Sequence, residues 1–96
     1  MKPDILVEEL KQLAEQLGVT VRQEIGNFNG GYCVLHEKKL IVVNKKLTSN
    51  IKAAVLAQSL SHFALDEVYI KPALREYIED QVHRMKRANG TLNTVE

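Results

Sequence analysis

Five consecutive residues, Gln58-Ser59-Leu60-Ser61-His62, have the spacing of a helical zinc-binding pattern but lack most of its chemical groups. In that pattern, histidines at positions i and i+4 of a helix bind the metal, and a glutamate after the first histidine activates the bound water. Here Gln58 takes the first histidine position and is a poor zinc ligand. Ser59 takes the glutamate position and cannot act as a carboxylate base. Only His62 keeps its group, so the pattern predicts no catalytic residue here.

The polar groups that remain predict a binding surface rather than a reaction centre. Gln58, Ser59, Ser61 and His62 form a candidate patch that could accept a peptide or a small ligand without chemistry. A competing interpretation is a metal-binding protein or hydrolase with a site rebuilt around His62, which would need three protein ligands and a water. A simpler interpretation is that His62 lies on a helix face and is hydrogen-bonded to a neighbouring residue. We expect no enzyme activity, no metal and no cofactor.

Cys33 and His36 are a second pair of residues whose types could do chemistry, as a metal site or as a thiol nucleophile with its base. Both lie in a predicted strand, where residues three apart point to opposite faces. The two side chains therefore diverge, and we expect Cys33 to be a buried or partly buried inert thiol. A single cysteine cannot form an internal disulfide, which favours a reducing, cytoplasmic location.

The composition limits the class of protein. The chain has 96 residues, of which 45% are hydrophobic, so it can form one small domain with a core. The net charge of +1 gives no overall attraction to nucleic acid, and no apolar run approaches the roughly 20 residues of a membrane span. A weak nucleic-acid footprint stays as a further alternative, through three basic clusters: Lys38-Lys39, Lys45-Lys46 and residues 83–87.

The hydrophobic periodicity predicts an α+β fold: an N-terminal helix, a three-stranded antiparallel β-meander and two C-terminal helices packed on the sheet. The first helix covers residues 4–17, with one leucine face, and Gly18 is placed to end it. Three strands are predicted over residues 19–25, 32–36 and 40–43. The first strand is followed by a glycine-rich turn, and Glu37-Lys38-Lys39 joins the other two.

The two C-terminal helices are predicted from apolar spacing and from their end residues. The central helix covers residues 49–65 and is apolar over more than half its circumference, which indicates that it is sandwiched between other elements. Pro72 suits the first turn of the last helix, and Asn89-Gly90 is expected to end it. We therefore expect a single α+β domain over residues 1–90 and a flexible C-terminal tail over residues 91–96.

The order of these parts resembles the core of the small ImmA/IrrE-type zinc metallopeptidases, which belong to the zincin group. In that family a hydrophobic strand ending in asparagine, as in Ile41 to Asn44, leads to a helix carrying Ala-His-Glu-Leu-Gly-His, with which residues 56–63 align without a gap. The resemblance covers residues 34–65. It implies the family's fold and a third ligand on a later helix, at Glu76 or Glu79. Since only His62 of the catalytic-helix groups is kept, it implies an inactivated relative.

The chain is also similar to a small bacterial family with Gly-Gly-x-Cys, Asn-Lys-Lys-Leu and Pro-Ala-x-Arg-Glu patterns, a likeness that implies no activity. The second and third predicted strands of this chain are apolar on both faces, so one of those faces needs a partner to cover it. An exposed strand edge can pair with a second chain or with an extended peptide. We therefore expect an interaction module for an unknown protein or peptide, with a homodimer as the quaternary state and no membrane association.

Overall fold

A computed structural model describes the backbone of residues 1–95 and the side chains of residues 1–87. The predicted α+β class, with an N-terminal helix, three strands and two C-terminal helices, is confirmed. No helix within this range is both long enough and apolar enough to cross a membrane. The elements in chain order are α1 (Pro3–Gln16), β1 (Val19–Glu24), β2 (Gly30–Leu35), β3 (Lys38–Asn44), α2 (Ser49–Leu60), a 3-10 turn (Leu65–Glu67) and α3 (Pro72–Val95).

The first helix follows its sequence pattern closely. The leucine face of α1 turns inward, and Leu10 and Ala14 have no exposed surface. The helix ends where predicted, because Gly18 adopts a φ of +72°, the left-handed conformation that glycine adopts without steric cost. At the other end, the Asp4 carboxylate accepts a hydrogen bond from Ser49 and so ties the start of α1 to the start of α2.

The sheet has the strand order β1-β3-β2, so the predicted antiparallel meander is wrong. β1 runs parallel to β3, and β2 runs antiparallel to β3. After β1 the chain crosses the end of β3, returns as β2 on the far side, and then turns back into the centre of the sheet. β3 takes the central place because it is the most apolar strand, with Ile41 and Val43 almost completely buried.

Asn44, the last residue of β3, holds the crossing between β1 and β2 in place. Its side-chain Nδ2 donates hydrogen bonds to the carbonyl oxygens of Gly26 (2.8 Å) and Phe28 (2.7 Å). Its Oδ1 accepts one from the backbone N–H of Lys46 at 3.1 Å. The backbone N–H of Asn44 also bonds Asn29 O at 2.9 Å. A buried amide with all these partners fixes the loop that the sequence shows only as a glycine-rich turn.

The helices cover one face of the sheet and leave the other open. α1 and α2 pack on the inner face, while α3 packs mainly on α2 and to a lesser extent on α1. The prediction that both C-terminal helices pack on the sheet is therefore wrong for α3, because α2 lies between it and the strands. From the strand register, Cys33, Leu35, Leu40 and Val42 share the outer face, which no element covers in the part of the chain that is described. The core comes from α1, β1, β3, α2 and α3: Leu6, Val7, Leu10, Leu13, Ala14, Val19, Ile41, Val43, Ala53, Leu56, Ala57, Leu60, Ile70, Leu74 and Ile78.

Several predicted boundaries are wrong, among them the starts of β2 and β3, which lie at Gly30 and Lys38 instead of residues 32 and 40. β1 ends at Glu24, so Ile25 lies in the crossing loop with 64% of its surface exposed instead of facing the core. α2 ends at Leu60 rather than at residue 65. α3 continues through Asn89-Gly90 to Val95, since one glycine costs a helix only about 1 kcal/mol and does not by itself end it. The flexibility expected for residues 91–96 stays a prediction, and Glu96 lies outside the described residues.

Candidate functional site

The segment after α2 tightens into a turn, and this changes the position of His62. The backbone N–H of His62 bonds Ser59 O at 3.2 Å, and that of Phe63 bonds Leu60 O at 3.0 Å. These bonds span three residues, whereas an α-helical bond spans four. His62 therefore lies beyond the helix, and it does not stand one regular turn above Gln58 as the zinc-binding pattern requires.

An aromatic cluster of Tyr32, His62 and Phe63 joins this turn to β2. The rings of Tyr32 and His62 stack with centroids 4.1 Å apart and an interplanar angle of 20°. Phe63 meets Tyr32 edge-on, with centroids 5.7 Å apart. Lys39 Nζ lies 5.9 Å from the Phe63 ring centroid. An aromatic pair of this kind contributes about 0.5–1.5 kcal/mol, so the stack orients the imidazole against β2.

A cavity of about 310 Å³ opens between β2 and α2, beside this cluster. On one side its wall includes Gly30, Gly31 and Tyr32 of β2; on the other it includes Gln58, Ser59 and His62. We call it the α2–β2 cavity. Its volume is at the lower end of the range for small-ligand sites, roughly 300–1,000 Å³. The wall formed by α2 and the turn after it offers an amide, a hydroxyl and an imidazole, all of which are able to form hydrogen bonds.

Three of the four residues predicted for the binding patch meet in the α2–β2 cavity, and Ser61 does not. Gln58 Nε2 donates to Gln81 Oε1 on α3 at 3.4 Å, which sets the orientation of the amide. Ser59 has only 5% of its surface exposed. The hydroxyl of Ser61 donates instead to Gln58 O at 2.5 Å and so satisfies a carbonyl at the helix end.

Gly30 and Tyr32 are site residues that the sequence interpretation missed. Gly30 has a φ of +144°, and a Cβ at this position would lie 2.2 Å from the carbonyl oxygen of Val42. Only glycine fits there, and the backbone of Gly30 and Gly31 forms part of the cavity wall. The Gly30-Gly31 pair is a visible signal in the sequence, but two glycines are more typical of a turn than of the start of a strand.

The structure does not bring Glu76 or Glu79 to His62. Both line a separate cavity of about 800 Å³ on α3, together with Asp80 and His83. On α3 it is Gln81 that contacts Gln58. Glu79 lies two positions earlier, about 200° around the helix, and so is on nearly the opposite side of α3 from Gln81. No group of three metal-ligating side chains is found in the part of the chain that the structure describes. The metal site suggested as an alternative therefore lacks its expected ligands.

The same α3 cavity contains Tyr77, a titratable residue with a shifted pKa. Burial raises the pKa of the Tyr77 phenol above its ordinary value, the nearby Asp80 carboxylate raises it further, and Arg84 lowers it. Arg84 is in turn bonded to Asp80, with Nε 3.0 Å from Oδ2. A phenol is already neutral at physiological pH, so this shift changes no charge there, and Tyr77 serves as a half-buried packing residue.

Cys33 is exposed, so the expectation of a buried or partly buried thiol is wrong. It pairs with Leu40 across the sheet, whereas His36 lies in the following turn with a φ of 51°. The described geometry therefore does not bring His36 to the thiol as a base. The two lysine pairs of the nucleic-acid alternative, Lys38-Lys39 and Lys45-Lys46, lie at opposite ends of β3, about 20 Å apart, and do not form one patch.

Within the part of the chain that the structure describes, no strand pairs with the outer edge of β2, and the hydrogen-bonding groups of this edge can be assigned. The turn between β2 and β3 consists of His36 and Glu37, both with positive φ (51° and 69°). In a two-residue turn of this kind the flanking residues, Leu35 and Lys38, exchange both hydrogen bonds. Odd-numbered residues of β2 therefore bond to β3. The N–H and C=O groups of the even-numbered residues point away from the sheet: Gly30, Tyr32 and Val34.

This free edge lacks the features that usually prevent strands from pairing. β2 contains no charged residue and no proline, and none of its residues is buried. Tyr32 is 47% exposed, and Val34 and Leu35 are each 57% exposed. Natural edge strands are usually protected by lysine, proline, bulges or a covering element. β2 is thus an open edge with apolar side chains, and it begins at the wall of the α2–β2 cavity.

Comparison of the chain with models of known protein families, with curated proteins and with solved structures finds no match. The resemblance to the ImmA/IrrE-type metallopeptidases thus depends only on the residues quoted for it and stays a prediction. The open edge of β2 and the α2–β2 cavity are the features from which a function can be inferred.

Proposed function

We propose that the chain is a non-catalytic interaction module that binds an extended segment of a protein along the free edge of β2. The observation that carries this proposal is the uncharged edge of β2, which runs beside the α2–β2 cavity. A strand added to a sheet edge gains affinity from main-chain hydrogen bonds and specificity from pockets for alternate side chains. Here the edge provides the hydrogen bonds and the cavity provides a pocket.

The α2–β2 cavity would select the side chains of the bound segment. Alternate side chains of an added strand point to the inner face of the sheet, where Tyr32 and His62 already stack. The amide of Gln58 offers both a donor and an acceptor, and the imidazole of His62 adds another polar group. The cavity therefore contributes to the choice of the inner-facing side chains of the bound segment that lie nearest to Tyr32 and Gly30.

The chemistry of the groups in the cavity supports binding rather than catalysis. An amide, a hydroxyl on a residue that is almost fully buried and an imidazole stacked on a tyrosine hold a ligand by hydrogen bonds and ring contacts. The resemblance to zincins is consistent with this proposal, since zincin edge strands pair with peptide substrates. We place the protein in the cytoplasm, because a reducing compartment suits its exposed thiol.

Selection from a library of random peptides tests the proposal. Peptides retained by the wild-type chain are measured by isothermal titration against the wild type and against Val34→Pro. The backbone N–H of Val34 points to the free edge, so proline there removes one edge donor and blocks an added strand without breaking a bond to β3. We expect Val34→Pro to weaken binding by at least about tenfold, the loss of one or two hydrogen bonds.

Two controls separate binding at the β2 edge from binding elsewhere on the molecule. Val34→Thr keeps the backbone N–H and the shape of the side chain, and should bind like the wild type. His62→Ala and Gln58→Ala should change which peptide sequences are selected while leaving binding sensitive to Val34→Pro. If the library yields no binder, or if Val34→Pro leaves the affinities unchanged, the proposed function is wrong.

A further inference from the structure

We propose that the segment bound at the β2 edge is β2 of a second copy of the chain, paired antiparallel about a two-fold axis at Cys33. The inference rests on the proposed function, because it names the partner of the same edge. It depends on three properties of β2: the register that its free groups allow, the fit of its side chains, and its lack of charge.

The free hydrogen-bonding groups permit a symmetric pairing centred on Cys33. Tyr32 and Val34 both direct N–H and C=O to the open edge, so Tyr32 of one copy can exchange two hydrogen bonds with Val34 of the other. The symmetry-related pair, Val34 of the first copy with Tyr32 of the second, gives two more hydrogen bonds. Cys33 then faces Cys33 of the second copy as a non-hydrogen-bonded pair. The Cα atoms of such a pair are about 4.5 Å apart, within the range of a disulfide.

The side chains fit this register on both faces of the sheet. On the inner face Tyr32 would lie opposite Val34 of the second copy, an aromatic and β-branched pair of the kind that stabilises sheets. On the outer face Leu35 would lie opposite Gly31 of the second copy, where the absence of a side chain leaves room. Val34 and Leu35, each 57% exposed in the single chain, would thus each gain a partner. A pairing centred on Tyr32 would instead place Val34 of one copy opposite Gly30 of the other, which has no side chain for Val34 to contact.

The lack of charge on β2 also suits a second copy. A two-fold axis at Cys33 places no charged side chain of one β2 against the other β2. Lysine on a strand edge would instead bring like charges together when two copies pair.

The size of the contact sets the expected strength of the dimer. Six residues of β2 extend about 20 Å, and one such strand pair buries less than the roughly 800 Å² per partner of a typical stable complex. We therefore expect a reversible dimer with a dissociation constant of about 10–100 µM. The two sheets would join into one of six strands, and Val34 of the second copy would lie beside the Tyr32–His62 stack at the α2–β2 cavity.

Sedimentation equilibrium over about 1 µM to about 1 mM protein measures the association. We expect wild type to pass from monomer to dimer in this range. Val34→Lys, which adds a charge to the edge, should raise the dissociation constant by at least about tenfold. Thr20→Lys adds the same charge to an exposed residue of the other edge strand, β1, and should leave the dissociation constant unchanged.

Oxidative cross-linking tests the register. Treatment of the wild-type chain with diamide at a concentration where the dimer dominates should give a covalent dimer that dithiothreitol reverses. Cys33→Ser should give none. Thr20→Cys in the Cys33→Ser background moves the thiol to β1 and should also give none. A dimer whose Cys33 thiols do not cross-link has a different register and contradicts the proposal.

The outcomes distinguish failure of this inference from failure of the proposed function. A chain that stays monomeric at all concentrations, yet binds selected peptides in a manner sensitive to Val34→Pro, overturns the dimer and leaves the function standing. A dimer that Val34→Lys leaves unchanged uses another surface and also overturns the inference. A monomer that binds no peptide contradicts both proposals.

Discussion

The two edge strands of the sheet, β1 and β2, share the central strand β3 but present different surfaces to other proteins. β1 carries Arg22 and Glu24, whose charged groups lie 3.8 Å apart, and its Gln23 accepts a hydrogen bond from Lys52 of α2. Val19 of β1 is buried in the core. β2 carries no charge and buries none of its residues. One edge is thus protected by charge and anchored by packing, and the other edge is open.

This difference indicates where the molecule can pair with another chain. Charged side chains on β1 discourage strand addition, because an added strand would have to remove them from water. β2 combines free backbone groups with half-exposed apolar side chains, and its first residues form a wall of the α2–β2 cavity. A protein that needed neither edge for binding would gain solubility from charge on both. The unprotected edge of β2 is therefore the feature that any proposed function of the protein should explain.

The largest effect is expected for Gly30→Ala, which should displace β2 from the sheet. A Cβ at Gly30 would lie 2.2 Å from Val42 O, and the φ of +144° strains any residue with a side chain. We expect a loss of about 3–5 kcal/mol in the free energy of unfolding, from steric overlap and backbone strain together. Urea denaturation followed by circular dichroism measures it.

Gly31→Ala is the matched control for this substitution. Gly31 is the next residue along β2, and a Cβ there meets no atom within 4 Å. We expect its free energy of unfolding to stay within about 0.5 kcal/mol of the wild-type value. Equal losses for the two variants would show that β2 does not begin at Gly30 as described, and would remove the geometric basis of the open edge.

The second test concerns the crossing that places β2 on the far side of β3. Asn44→Ala removes the amide that bonds Gly26 O and Phe28 O and leaves both carbonyls without that donor. We expect a loss of about 2–3 kcal/mol in the free energy of unfolding, measured in the same way. Asn50→Ala, at an exposed asparagine of α2, should change it by less than about 0.5 kcal/mol. A neutral Asn44→Ala would mean that the crossing does not depend on this side chain.

The elements of the fold could be predicted from local patterns, but their arrangement could not. The leucine spacing of α1 and the left-handed position of Gly18 depend only on nearby residues, and both are confirmed. Strand order depends on contacts between distant residues, such as Asn44 with Gly26. Alternation of apolar and polar residues shows that a strand exists but does not identify the strand beside it. For this reason the expectation that β1 and β2 are neighbours is wrong, whereas the predicted antiparallel pairing of β2 with β3 is confirmed.

The candidate site could be predicted only in part, for a similar reason. A helical spacing selects Gln58, Ser59 and His62, and they do line one cavity. They meet there because α2 ends at Leu60 and the following turn places His62 on Tyr32, which no helical spacing shows. Ser61 is one residue from His62, yet its hydroxyl is used at the helix end. The opposite wall, Gly30 and Gly31, comes from a strand boundary that lies inside a predicted turn.

The smallest expected effect strengthens β2 without altering its edge. His36 and Glu37 occupy a turn that requires positive φ at both positions, which costs residues with a side chain about 1–2 kcal/mol each. Replacing them with Asn and Gly, the pair that this turn favours, should raise the free energy of unfolding by about 1 kcal/mol. Glu37→Gln removes the charge but keeps the strain, and should give no such gain.

Because the turn lies outside Tyr32, Cys33 and Val34, the His36→Asn/Glu37→Gly variant should keep the Cys33 cross-link and the sensitivity of binding to Val34→Pro. A stabilised hairpin that still pairs through its edge would show that the openness of β2 does not result from weak local structure. If the variant gains stability and loses its association, the pairing would arise from partial unfolding of β2, and the contrast between the two edges would concern stability rather than recognition.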